Sequence, residues 1–501
     1  MLPLGAATQG RSHQLTDDLN LFGEKSDAPR PRRNIDDALG DMSRAAERTR
    51  SAGSALDDLI ASSGARPRGE AAPSETARLD TRNRWALALA FALAGVGFCG
   101  VLTESVAASQ LLSNSSPLAL AVVWPLGGLG LLLIAFAQMR FVDRFARLGV
   151  VRWVFLICSA AFIAMLALVA SGVPHKIPAA IAWLLADQLN FLLPLVLWTL
   201  AGDVFTTGQG ATVFPKISRW LFGGQIAGLG VAVLAPTVFN LNDDSLIWLL
   251  AAPPLVGILV AVLLPRALAG ATTGVGHQRA QGASESLKDT VSFIGQLPAF
   301  RWMFWVGVFA IFGGTMVDFG FLHLATTRYS DAGSLQAVYA GTSLVCFVAC
   351  WLLQNFGSTK IIKSQGIARV LQLLPIGALL GGVVLVIGGA TTTVVLGSLA
   401  LVIWRIPRWS IDGSARQAAM ASLPDERRLR VSFAIDMGPL AFSLILAAGP
   451  IALAVQTHNL WIAPLIGVAF AAVGLVLSRN TVRTWDDTQL SYRLKRRKRL
   501  G

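Results

Sequence analysis

Apolar segments long enough to cross a bilayer recur about twelve times between residues 85 and 478, with short polar stretches between them. A spanning helix needs about 20 predominantly apolar residues. The segments fall at 85–105, 117–138, 151–172, 178–201, 220–239, 246–264, 302–325, 336–356, 369–389, 391–406, 430–455 and 459–478. Polar sequence flanks and divides them. Residues 1–84 carry few large apolar side chains and are expected to be largely disordered, apart from helical spacing in Ile35, Leu39, Met42 and Ala46, then Leu56 and Ile60. Residues 85–264 form a first set of six spans, 265–301 a polar central loop, 302–478 a second set of six, and 479–501 a basic tail. The pattern predicts an all-α polytopic membrane protein with about twelve transmembrane helices in a 6+6 pseudo-repeat.

Composition agrees. The 501 residues are 54% hydrophobic and 14% charged, against about 25% charged in a soluble domain. The distribution of charge sets the orientation. Of 42 Lys and Arg, 13 lie in residues 1–84 and 8 in 479–501; 19 of the remaining 21 fall in loops on the same side as the termini, with Lys176 and Arg328 opposite. Positive loops stay in the cytoplasm, so both termini are expected there, in a bacterial inner membrane. The net charge of +13 is thereby explained by topology and anionic lipid, without a nucleic-acid partner. No cleavable signal peptide is visible, and insertion is expected through the first span. Cys99, Cys158, Cys346 and Cys350 lie in apolar segments, so no disulfides are expected. Cys346 and Cys350 stand one turn apart but read as packing residues. No P-loop, metal-ligand spacing or nucleophile elbow occurs; no enzyme, metal or cofactor is expected.

The candidate chemistry is acidic. Glu104, Asp187, Asp318 and Asp436 lie in or near four spans, while no Lys or Arg is expected at mid-membrane. An ionisable side chain at that depth costs about 2.5–3.5 kcal/mol on insertion scales and marks a functional candidate. Asp187, Gln188 and Asn190 group toward the outer part of the fourth segment, and Pro194 is positioned to open the helix near them. His323 follows Asp318 by five residues and joins the candidate relay, or is interfacial. Gly223, Gly224, Gly228 and Gly230 allow close helix approach in the fifth segment. Arg405, Arg408, Arg416, Arg427 and Arg428 are expected at the inner mouth, touching an anion or lipid headgroups.

Two further features point to major-facilitator architecture. Gly149-Val150-Val151-Arg152 and Gly366-Ile367-Ala368-Arg369 occupy equivalent starts in the two halves. Asp143, Arg144 and Arg147 match part of the D-R-x-x-R gating loop of major-facilitator carriers, with Met139 where a Gly is usual. More specifically, the run GDVF, the loop FPKISRW and a Gly-rich helix, followed by LPAFRWMFWVGVFAIFGGTMVDFGF, GIARVLQLLPIGALL and ARQAAMASLPDERRLRVSFAIDMGPLAFS, resemble the ATP/ADP translocase (nucleotide exchange) family and its bacterial major-facilitator relatives over residues 85–478. The resemblance implies a carrier fold and nucleotide exchange. The chain departs from it in lacking intramembrane lysines to meet phosphate. Three functions are therefore open: proton- or cation-coupled secondary transport of a small solute, with Glu104, Asp187, Gln188, Asn190, Asp318 and Asp436 along the path; nucleotide exchange; or a non-transporting anchor or sensor working through residues 1–84.

Overall fold

The computed structural model describes residues 75–141, 147–205, 207–269, 287–391, 393–420, 423, 425–459 and 461–500. Expectations about residues 1–74, and about Asp143 and Arg144, lie outside the described residues. So do the side chains of Arg147, Arg427 and Arg428.

Among the described residues, twelve helices are long and apolar enough to cross a membrane: Thr81–Ser113, Pro117–Ile134, Leu148–Ala170, Lys176–Gly202, Lys216–Thr237, Asp243–Ala267, Pro298–Arg328, Ala332–Phe356, Ile367–Gly388, Val394–Met420, Ala434–Gln456 and Ile462–Thr488. They are called spans one to twelve here. Helix is the outcome physics demands, because lipid offers no partner to backbone N–H and C=O groups. The face from which span one departs is called the N-terminal face; the opposite one is the far face.

The contacts repeat. Span one packs on spans four, five and six, and span seven on ten, eleven and twelve. Between the halves, span two lies on span eleven and span five on span eight. Adding six to each number exchanges these two pairs, as a twofold relation between the halves requires. Twelve spans in two related sets of six make this a multi-pass membrane fold.

Small residues set the closest approaches. A Cβ on Gly224 or Gly228 would collide with the carbonyl oxygens of Ala94 and Phe98 in span one. These two glycines, one turn apart, let the backbones of spans one and five touch. Gly223 and Gly230 face open space. Gly366 adopts φ +80 at the turn into span nine, a conformation that a side chain would strain.

The largest correction concerns span ten. The sequence pattern ends it at residue 406, but the helix continues through Pro407 by a π-helical turn, Pro407–Asp412, to Met420. Arg405, Arg408 and Arg416 are therefore inside the span and not at its mouth. The expectation of no mid-membrane cation is overturned. The apolar run ends early because Arg408, Asp412 and Arg416 depress hydropathy. They are nevertheless compatible with the bundle, since Asp412 pairs with both arginines at i,i+4 spacing. The central loop also differs: Leu287–Gln296 is a helix that packs on spans seven and eleven, because Phe293, Ile294 and Leu297 join one apolar cluster.

Candidate functional site

Each half builds the same scaffold. In the first, Gly100 precedes Glu104 by four residues on span one. A Cβ on Gly100 would strike the Asn190 side chain, so the missing side chain brings span four close. Asn190 lies in a π-helical turn, Gln188–Leu192, just before Pro194, and its Nδ2 donates to Glu104 Oε2 at 2.9 Å. In the second half, Gly314 precedes Asp318 by four on span seven. A Cβ there would enter the Trp404 ring, and Trp404 Nε1 donates to Asp318 Oδ2 at 3.3 Å. Trp404 precedes Pro407 and its π-turn. Proline removes a donor and crowds the preceding turn, which accounts for the irregular backbone beside both acids.

Arg405 joins the two scaffolds. Its Nε lies 3.1 Å from Asp318 Oδ1 and its Nη2 3.7 Å from Glu104 Oε1. Nη1 donates to Ser343 Oγ and Nη2 to the Tyr339 hydroxyl, each at 3.0 Å. Tyr339 in turn donates to Glu104 Oε1 at 2.5 Å. The guanidinium is thus held along all its edges, the arrangement that makes arginine suited to buried ion pairs. The acids remain reachable: the Glu104 and Asp318 side chains are 28% and 23% exposed, against 11% for Arg405. The set takes donors and acceptors from spans one, four, seven, eight and ten.

Next to it, toward the N-terminal face, is an aromatic layer. Phe191 and Trp409, neighbours in sequence of Asn190 and Arg408, stack across the halves at 6.0 Å, with Phe347 6.0 Å from Trp409. Further along span ten, Arg408 and Arg416 both pair with Asp412 Oδ2, at 3.3 and 2.8 Å, and Arg416 Nη1 donates to the Ile435 carbonyl at 2.8 Å. Arg416 is 2% exposed. These arginines contact carboxylates and backbone in the bundle, so the expected lipid contact is corrected for Arg405, Arg408 and Arg416.

The other predicted residues scatter around this centre. Asp187 and Gln188 lie near the middle of span four, not at its outer part. Asp187 is half-buried against Gly127 of span two, and Gln188 Oε1 is buried without a partner. Asp436 accepts from Ser432 at 2.9 Å, one residue beyond the Arg416 contact. His323 stands apart, its ring 6.3 Å from Trp461 near the far face. Tyr339, Ser343 and Trp404 were missed. Polar side chains of ordinary type in an apolar span give no sign of which face they occupy. A clue to Trp404 was the shared Gly-x-x-x-acid spacing of spans one and seven.

No family profile and no curated protein matches the chain. Solved structures match the fold. A nucleoside transporter, NupG, aligns at 16% identity and TM-score 0.58 over 80% of this chain and 99% of its own. A peptide transporter, POT, aligns at 15% identity and TM-score 0.56, over 79% and 94%. A bacterial homologue of the human lysosomal transporter Spinster aligns at 15% identity and TM-score 0.52, over 82% and 97%. At these identities the likeness is one of fold. It supports major-facilitator architecture and does not single out the nucleotide-exchange family.

Proposed function

We propose that the chain is a secondary active transporter that carries a small solute by alternating access, with Glu104, Asn190, Asp318, Tyr339 and Arg405 holding the solute. The observation behind this reading is the Arg405 bridge: one guanidinium pairs with acids from both halves at their junction, where a rocking motion changes every distance. Two carboxylates share that guanidinium, and Asp187 adds a third negative group beside span two. Excess negative charge in a poorly solvated interior favours co-transport of a proton or other cation. Asp187 and Gln188 are assigned to the coupling path, Asp436 to its N-terminal-face end. Loop charge supports one orientation. Without the three span-ten arginines, sixteen basic residues against two support a cytoplasmic N-terminal face in a bacterial inner membrane, with Arg427, Arg428 and the basic tail assigned to anionic lipid.

Reconstituted vesicles test this reading. Uridine and adenosine are the first labelled solutes, given the nucleoside transporter among the structural matches. Accumulation driven by an acid-outside gradient is expected, and Asp187→Asn or Asp318→Asn should abolish it at parental levels of inserted protein. Undiminished uptake in both variants would remove the site assignment. Nucleotide exchange is the second reading, favoured by the three arginines now placed inside span ten. A phosphate would have to displace Asp412 or Glu104 from them. Saturable ATP/ADP counter-exchange from the same vesicles would establish it.

A further inference from the structure

The far face is closed by polar contacts that cross between the halves. Any helix begins with four N–H groups that lack intrahelical partners. In span eight, Asp331 precedes the helix and its Oδ2 accepts from Ser334 N–H at 2.7 Å. The N–H groups of Ala332 and Gly333 go elsewhere, to the two carboxylate oxygens of Asp243, at 3.2 and 3.1 Å. Asp243 opens span six and belongs to the first half. The start of span eight is therefore capped in two parts, one from each half.

The surroundings make this contact consequential. Ala332 is 0% exposed, so its N–H has no access to water in the closed arrangement, and a buried donor without a partner is destabilising. A Cβ on Gly333 would stand 3.3 Å from Pro236 Cβ in span five, a tight contact, and 3.8 Å from Asp243 Oδ1. Behind the carboxylate, Gln110 Nε2 of span one donates to the Asp243 carbonyl at 2.6 Å. One turn into span eight, the buried Gln336 donates to the Ala232 carbonyl of span five at 2.9 Å and accepts from Ser109 Oγ at 3.3 Å. The symmetry-related helix starts, of spans two and twelve, differ in sequence. Span two begins at Pro117, which offers no N–H, and no acid lies within residues 456–466.

We propose that Asp243 is a detachable cap for span eight, and that its carboxylate is the latch that holds the far face shut. The inference rests on the alternating-access reading. Closing the face supplies the cap from the other half; opening it hands two N–H groups to water. Removing the carboxylate leaves those groups unpaired only in the closed state, so it favours the open one.

Distance measurement between spin labels tests this in the full-length protein in lipid nanodiscs. Labels go at Phe239→Cys and Ser330→Cys, both on the far face, after the four native cysteines are replaced. Loss of a cap corresponds to about a tenfold change in the open-to-closed ratio, or about 1.4 kcal/mol. Asp243→Ala should raise the long-distance population by that factor, and Asp243→Asn by less, because its amide oxygen still accepts one bond. Asp244→Ala, beside it but facing His175 at 3.7 Å, should leave the distribution unchanged. The same distribution in the parent, Asp243→Ala and Asp243→Asn overturns the latch. If the distances do separate into two populations but their ratio ignores Asp243, the latch fails and alternating access stands. If no variant or added solute ever yields a second population, alternating access fails with it.

Discussion

The two halves use one scaffold for two chemistries. In each, a glycine lets a proline-disturbed helix press against the helix that carries an acid four residues further on. In the first half the partner of that acid is the Asn190 amide; in the second it is the Trp404 indole, followed at once by Arg405. Backbone geometry is repeated while the donor differs, and only the second half supplies a cation. The acid of the first half must therefore look across the junction for its counter-charge. Spans seven and ten hold a complete ion pair by themselves; spans one and four do not. The halves are thus equivalent as frames and unequal as electrostatic objects.

The comparison is most easily broken at Arg405. Arg405→Ala leaves two acids facing each other without a cation, and removing one partner of a buried pair costs about 3–5 kcal/mol. Thermal unfolding of the purified protein should show a large drop. The double change Arg405→Gln with Asp318→Asn should recover part of it, because one acid instead of two is then left without a cation, and that acid, Glu104, still accepts from Asn190 and Tyr339. Failure of the double variant to recover would mean that packing of the arginine stem dominates.

A smaller effect is expected in the first half. Glu104→Gln keeps one acceptor oxygen for Asn190 or Tyr339, turns the other into a donor, and loses the longer 3.7 Å ion pair. A loss of about 1 kcal/mol is expected, the scale of one hydrogen-bonded contact, against the larger loss at Arg405 in the same melting assay. The glycines give a parallel contrast. Gly314→Ala drives a methyl group into the rigid Trp404 ring and should cost about 1–3 kcal/mol, the range for overpacking. Gly100→Ala meets the end of the more adaptable Asn190 side chain and should cost less. Equal losses would show that the two scaffolds are equally tight.

The smallest effect is at the far face. The Ser334 N–H holds the Asp331 carboxyl below its ordinary value. A carboxyl lowered in this way adds stability above its unfolded pKa and loses it as pH falls through the folded one. The melting difference between the parent and Asp331→Ala should therefore be steady at neutral pH and shrink only in acid.

Much of this architecture was legible in sequence. All twelve spans appear in the hydropathy, because lipid imposes an apolar exterior on every one of them. Glu104, Asn190 and Asp318 stood out as polar positions within apolar helices. Span ten was cut short for the converse reason. Arg408, Asp412 and Arg416 read as a loop while their mutual pairing was unseen, and the position of Arg405 was misplaced with them. Tyr339 and Ser343 were hidden because the rotation of a helix is not written in its hydropathy.

Span one carries both the central acid and part of the far-face closure. Glu104 lies five residues before Ser109 and six before Gln110, about 8–9 Å at 1.5 Å per residue. An α-helix is too stiff over that length for one end to move alone. Glycine contacts along the same helix fasten it to span five, which supplies the Ala232 carbonyl to Gln336. If Glu104 holds the solute and Asp243 latches the far face, as proposed, a solute that pulls on Glu104 pulls on a rod whose other end is the gate, and a gate that moves alters the grip on the solute by the same free energy. The proposed site and gate are then two ends of one lever.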